Sequence, residues 1–134
     1  MIELIVPGEP MGKQRPRMST RTGKAYTPKK TVLYENWVKE CYCISKDKKH
    51  LTGAIKAHIK VYMSIPKSTS KKKRQEMISE KIRPTKKPDL DNIAKIILDS
   101  LNGLAYEDDK QIVSLQVNKF YGTEPKVIVQ LEEV

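Results

Sequence analysis

The residues best placed to do chemistry are acidic ones in a basic chain. Lys87-Pro88-Asp89-Leu90-Asp91-Asn92 leads into Lys95 and Asp99, and a second acidic run, Glu107-Asp108-Asp109, precedes Lys110-Gln111. If these carboxylates converge, their hard oxygens select Mg²⁺, with Mn²⁺ as a substitute, over zinc. Beside a polyanion such an ion activates water, braces the attacked phosphate and stabilises the leaving 3′ oxygen, so a few carboxylates suffice for phosphodiester hydrolysis. Lys95 would neutralise charge building in the transition state or orient the water. Plainer roles compete. Asp89 suits a helix N-cap, and both carboxylates favour a helix N-terminus by about 0.3–1 kcal/mol each. Acidic residues in a turn are often only turn chemistry. No Ser/His/Asp arrangement is present, and His50 and His58 receive no catalytic role.

Positioning these groups falls to a single domain, since 134 residues suit one core. Hydrophobic residues make up 38% and charged ones 31%, which predicts a modest core, a solvated surface and room for completion by dimerisation. The net charge of +10 is uneven: residues 1–87 hold 22 Lys and Arg against 7 Asp and Glu, and residues 88–134 hold 4 against 9. A basic excess of that size fits a phosphate-rich partner, whose binding releases counterions and depends strongly on salt. A non-catalytic nucleic-acid-binding protein would share the basic half and would not require the acidic one. Cys41 and Cys43 lie two apart in a helical pattern and are expected as unpaired thiols in a reducing compartment. With no long apolar run and no leader of signal-peptide type, the expectation is a soluble, cytoplasmic protein without membrane attachment.

Ile2, Leu4 and Val6 alternate in a short strand that stops at Pro7-Gly8. A long loop to Pro28 follows, and Thr27-Pro28 reads as the N-cap and first residue of a helix carrying Leu33, Trp37, Cys41 and Ile44 at helical spacing. Ile55 to Ile65 alternate strictly with polar residues and form the clearest strand. A short polar helix is expected from Ser70, ended by Arg83-Pro84. Leu90, Ile93, Ala94, Ile97, Leu98 and Leu101 then give the most secure helix, closed by Asn102-Gly103, with Asp91, Lys95 and Asp99 on its polar side. Val113 to Val117 and Val127 to Leu131 alternate and are expected to close the chain as a β-hairpin. The order is β-α-β-(α)-α-β-β, an α/β domain of α+β type with helices on a mixed or mainly antiparallel sheet.

The loop Gly12-Lys13-Gln14-Arg15-Pro16-Arg17, continued by Arg21 and Lys24, offers positive charge to phosphate. Loops of this length in compact domains are usually functional or disordered. The run Lys71, Lys72, Lys73 and Arg74 is less specific and suits a solvated face better than a phosphate contact.

In these motifs the chain resembles the RusA-type Holliday junction resolvases. The resemblance rests on Lys87-Pro88-Asp89-Leu90-Asp91-Asn92 with Lys95 and Asp99-Ser100-Leu101, on Asp108-Asp109-Lys110-Gln111-Ile112, and on Gly12 to Arg17; residues 44–83 match in pattern only. It implies a homodimeric, Mg²⁺-dependent endonuclease that cuts four-way DNA junctions by paired nicks. Position by position it implies Asp89, Asp91 and Asp109 as metal-binding carboxylates, with Asp108 as a further candidate, and Lys95 as the essential lysine. Residues 67–87 depart from the shortest members, and the expectation is a flap along a junction arm. The main alternative is the non-catalytic nucleic-acid-binding protein, in which the acidic groups only cap and turn; a second is a metal-dependent nuclease acting on flap or duplex DNA.

Overall fold

A computed structural model describes all of residues 1–134. In chain order the elements are β1 (Ile2–Pro7), β2 (Arg17–Met18), β3 (Ala25–Tyr26), α1 (Lys29–Cys43), β4 (Ile55–Ser64), α2 (Lys71–Ile78), α3 (Leu90–Ser100), β5 (Ile112–Gly122) and β6 (Lys126–Glu133). A single 3-10 turn, Asp109–Gln111, leads into β5.

The regular alternation of β4 puts it inside the sheet. Ile55, Ala57, Ile59, Val61 and Met63 are buried on one face, while Lys56, His58, Lys60 and Tyr62 stand on the other. The strand order is β1-β6-β4-β5, with β6 antiparallel to both β1 and β4, and β5 parallel to β4. Ile59 faces Val129 on one side and Val117 on the other, and Val129 faces Leu4, so the apolar positions of all four strands share one face. Helices α1 and α3 pack together and cover that face, through Val38, Cys41 and Tyr42 of α1 and Ile93, Ala94, Ile96 and Ile97 of α3. At roughly 25 cal/mol per Å² of apolar surface, the fully buried Val38, Ile93, Ile96 and Ile97 contribute about 1.5–3 kcal/mol each.

The expected single α/β domain with a mixed sheet is what the chain forms, with corrections to several elements. No terminal hairpin exists: β5 and β6 are consecutive but unpaired, and β6 inserts between β1 and β4. Because parallel neighbours cannot be joined by a tight turn, the chain from β4 to β5 crosses over through α2 and α3. The helix stripe of α1 is also different, since Leu33, Trp37 and Ile44 are exposed while Thr31, Val38 and Tyr42 are buried. Its cap position is Pro28, without a side-chain cap bond, one residue later than expected. The loop from Gly8 to Pro28, finally, contains a two-stranded ribbon, Arg17 and Met18 paired with Tyr26 and Ala25.

Helix α2 begins after Ser70, whose Oγ accepts from the Lys73 N–H, and stops at Ile78, five residues before Arg83. It lies against β5, with Met77 buried. Arg83 donates to the Lys119 carbonyl and stacks its guanidinium 4.2 Å from the Phe120 ring centroid. Cys41 and Cys43 are both free.

Candidate active site

Helix α3 carries the site because its two faces differ sharply. Ile93, Ile96, Ile97 and Leu101 point into the core, and Asp91, Lys95 and Asp99, spaced by four, form a polar row on the outer side. Asp91 and Lys95 are exposed and make no ion pair with each other, so both are free for a ligand. Asp89 occupies the N-cap position but makes no side-chain cap bond, which also leaves its carboxylate available.

The chain before α3 is pinned to β5 by Lys119. Its Nζ donates to the carbonyls of Lys86 and Pro88, the latter at 2.9 Å, and stands near Asp89. Burial lowers the pKa of this ammonium against the pull of Asp89, and Lys86 lowers it further. On the other side the basic loop closes in. The Lys13 N–H donates to the Asn92 carbonyl at 2.9 Å, and a Cβ at Gly12 would come within 3.0 Å of Asn92 Cβ and 3.1 Å of Pro88 Cβ. Glycine is therefore what allows this approach. Between the loop and Pro88 lies a cleft of about 450 Å³, bordered by Gln14, Lys87 and Asp89 among others.

The second acidic group is fixed by Gln111. Its Oε1 accepts from the N–H groups of Glu107 and Asp108, and its Nε2 donates to the carbonyls of Leu51 and Gly53. Asp108 in turn accepts from the Lys110 N–H at 3.0 Å, completing a capping box. That backbone bond, together with the neighbouring Asp109, holds the Asp108 carboxyl below its ordinary range. Asp109 is half-buried, and burial, followed by Asp108 and Asp99 as acidic neighbours, pushes its pKa up. Tyr106, fully buried with its hydroxyl donating to the Leu98 carbonyl, anchors the turn to the end of α3.

The fold thus brings Asp109 against Asp99 and sets Asp89, Asp91 and Lys95 on the same helix. No three Asp, Glu, His or Cys side chains close into a cage that would hold a metal ion alone. The donor set nonetheless fits Mg²⁺, which binds through one or two carboxylates and completes its shell with water and phosphate oxygens. Arg15, Arg17, Arg21 and Lys24 are exposed and unpaired, as are Lys71, Lys72 and Lys73, whereas Arg74 is half-buried. Lys13 differs from all of these, for its Nζ is paired with Glu35 and Asp99. Burial works against its charge, but hydrogen bonds and the two carboxylates prevail and raise its pKa.

Gln111, Lys119, Glu35 and Asp99 make the contacts around these acidic groups, a role that the reading of the sequence does not assign to them. Gln111 carries a legible signal, Asp108-x-x-Gln111 being a capping-box pattern. Glu35 and Lys119 carry none, because only the tertiary fold brings them near.

An α/β domain with a carboxylate row on one helix, an acidic turn at its end and a basic loop at its start is the outline of a small nuclease. The chain matches the family Endodeoxyribonuclease RusA over residues 7–132, and it belongs to that family of DNA-cutting enzymes. It is also similar to the uncharacterized protein YqaN of Bacillus subtilis (strain 168), 41% identical over 137 residues that cover 99% of this chain and 96% of that protein.

Proposed function

We propose that the protein is a homodimeric, Mg²⁺-dependent endonuclease that resolves four-way DNA junctions by paired, symmetric nicks in recombination and repair. What supports this most is the coincidence, in a chain of the RusA family, of Asp89, Asp91, Lys95 and Asp99 along one helix with Asp109 beside Asp99. A junction presents two equivalent strands, which calls for two active sites related by a two-fold axis. A DNA substrate places this work in the cytoplasm, on the nucleoid. No helix of the chain is long and apolar enough to cross a membrane.

In this reading Asp89, Asp91 and Asp109 would hold Mg²⁺, which would supply Lewis-acid activation of water and shielding of the phosphate charge. Asp108 serves first as the cap that orients Asp109. Lys95, one helical turn from Asp91 and without an ion-pair partner, stabilises charge developing on the attacked phosphate. Arg15, Arg17, Arg21 and Lys24 grip the backbone from the loop, a sequence-independent contribution that weakens with salt.

The test is to incubate purified protein with a synthetic four-way junction, a duplex and single strands, with and without Mg²⁺. Symmetric nicks in the junction alone, and only with metal, are expected. Equal cutting of duplex would sink junction selectivity, and binding without metal-dependent cleavage would leave a non-catalytic DNA-binding protein.

The docked position of α2 on β5 bears on the flap reading, since Lys71, Lys72 and Lys73 are exposed in its first turn. Neutralising Lys71, Lys72, Lys73 and Arg74 together should lower junction affinity and reduce the slope of log K against log salt by about 0.9 for each phosphate that is no longer neutralised. An unchanged affinity and slope, measured by gel shift from low to moderate salt, would remove the flap from the interface.

A further inference from the structure

Lys13 makes both of the chain's salt bridges. Its Nζ lies 3.1 Å from Glu35 Oε2 on α1 and 3.2 Å from Asp99 Oδ2 on α3. In a chain with 26 Lys and Arg and 16 Asp and Glu, no other acid–base pair of side chains closes to this range. The three partners are sheltered, with side chains 22%, 18% and 24% exposed for Lys13, Glu35 and Asp99. Its backbone is held too, by the bond to the Asn92 carbonyl and the tight seat of Gly12 on Asn92 and Pro88. One ammonium therefore joins the basic loop, α1 and α3.

The carboxylate it holds on α3 is the one beside Asp109. Without Lys13, Glu35 and Asp99 would face each other as like charges, with Asp109 next in line. Separation of those carboxylates would shift Asp99 away from Asp109 and loosen the end of α3 against the acidic turn. A lysine whose charge is already shared by two carboxylates also has little left for a phosphate. Its neighbours Arg15 and Arg17 have no such partners.

We propose that Lys13 is a positioning residue of the acidic site, holding Asp99 and through it Asp109 in place, and that it makes no phosphate contact. This rests on the nuclease reading above, but its test separates the two. Lys13→Gln, Lys13→Arg and Glu35→Gln are compared with wild type for turnover, KM and the salt dependence of junction binding without metal. Lys13→Gln is expected to lower kcat by about tenfold to a hundredfold, the scale set by small displacements of catalytic groups, with KM within about twofold. Its salt slope should equal that of wild type. Lys13→Arg, which can still bridge two carboxylates, should restore most of the turnover. Glu35→Gln keeps the Lys13 charge and should still lower kcat several-fold, which a phosphate contact would not predict. This variant carries the test if Lys13→Gln fails to fold. A fall of about 0.9 in the salt slope of Lys13→Gln with kcat unchanged would overturn the proposal, as would full turnover in Glu35→Gln. Absence of cleavage by wild type would sink the nuclease reading instead, and the salt slopes would then decide the role of Lys13 alone.

Discussion

Asp91→Asn should yield a folded protein that binds a four-way junction as tightly as wild type and cuts it about a thousandfold more slowly, or worse. The side chain is exposed at the first turn of α3 and has no hydrogen-bond or ion-pair partner within the protein. Its contribution to folding is therefore limited to the helix dipole, about 0.3–1 kcal/mol. Asparagine keeps the shape and one oxygen but loses the charge that a hard cation requires. A thousandfold loss corresponds to about 4 kcal/mol of transition-state stabilisation. Binding should hold or tighten, because a negative charge has been removed beside a polyanion. The check is a gel shift without metal beside a single-turnover cleavage assay with Mg²⁺. Cleavage within tenfold of wild type would remove Asp91 from the catalytic set, and equal loss of binding and cleavage would mean that the fold had been damaged.

Legibility in the sequence follows how local the deciding physics is. Strand β4 can be read because its period of two runs unbroken from Ile55 to Met63, and α3 because Ile93, Ile97 and Leu101 share one face with no competing stripe. The start of α2 is legible from Ser70, whose cap bond forms within one turn. In α1 two stripes compete: Leu33, Trp37 and Ile44 lead one, Val38 and Tyr42 the other, Cys41 fits both, and the sheet and α3 decide that Val38, Cys41 and Tyr42 are buried. The placement of β6 is likewise not local. Gly122 to Pro125 looks like a hairpin turn, yet Val127, Val129 and Leu131 are buried between β1 and β4 because both neighbours offer apolar partners in register.

The site divides along the same line. Asp91 and Lys95 are four apart on one helix and Asp89 is its N-cap, so the three are legible together from local sequence. Their relation to Asp109 is not, because it depends on a turn tied by Gln111 to the Leu51 and Gly53 carbonyls and by Tyr106 to the Leu98 carbonyl of α3. Lys13 illustrates the limit most clearly. Within Gly12 to Arg17 it is one basic residue among three, and nothing in its neighbours distinguishes it. The difference arises only when α1 and α3 bring Glu35 and Asp99 to the same ammonium.

Asp109→Asn should move stability and activity in opposite directions: a metal-free protein that melts about 2–4 °C higher, and one that no longer cuts DNA. Asp109 is half-buried between Asp108 and Asp99, and its pKa is raised in the fold by burial and by those neighbours. A raised pKa means that the fold holds the proton more tightly than the unfolded chain does. That preference helps only at pH below the ordinary carboxylate range and is lost as pH climbs through the raised value. At neutral pH the ionised carboxylate therefore opposes folding. For a partly exposed group with two like charges nearby the cost is about 0.5–1 kcal/mol, which gives the shift in Tm for a domain of this size. Asparagine removes the charge and can still donate to Asp99 and Asp108. The same charge is what a divalent cation would offset, so Mn²⁺ should raise the Tm of wild type and leave Asp109→Asn nearly unchanged. Thermal melts with and without Mn²⁺, run at neutral pH beside the cleavage assay, test both halves. A lower Tm in the metal-free variant would mean that Asp109 stabilises the turn rather than straining it, and retained cleavage would mean that the strain serves no catalytic purpose.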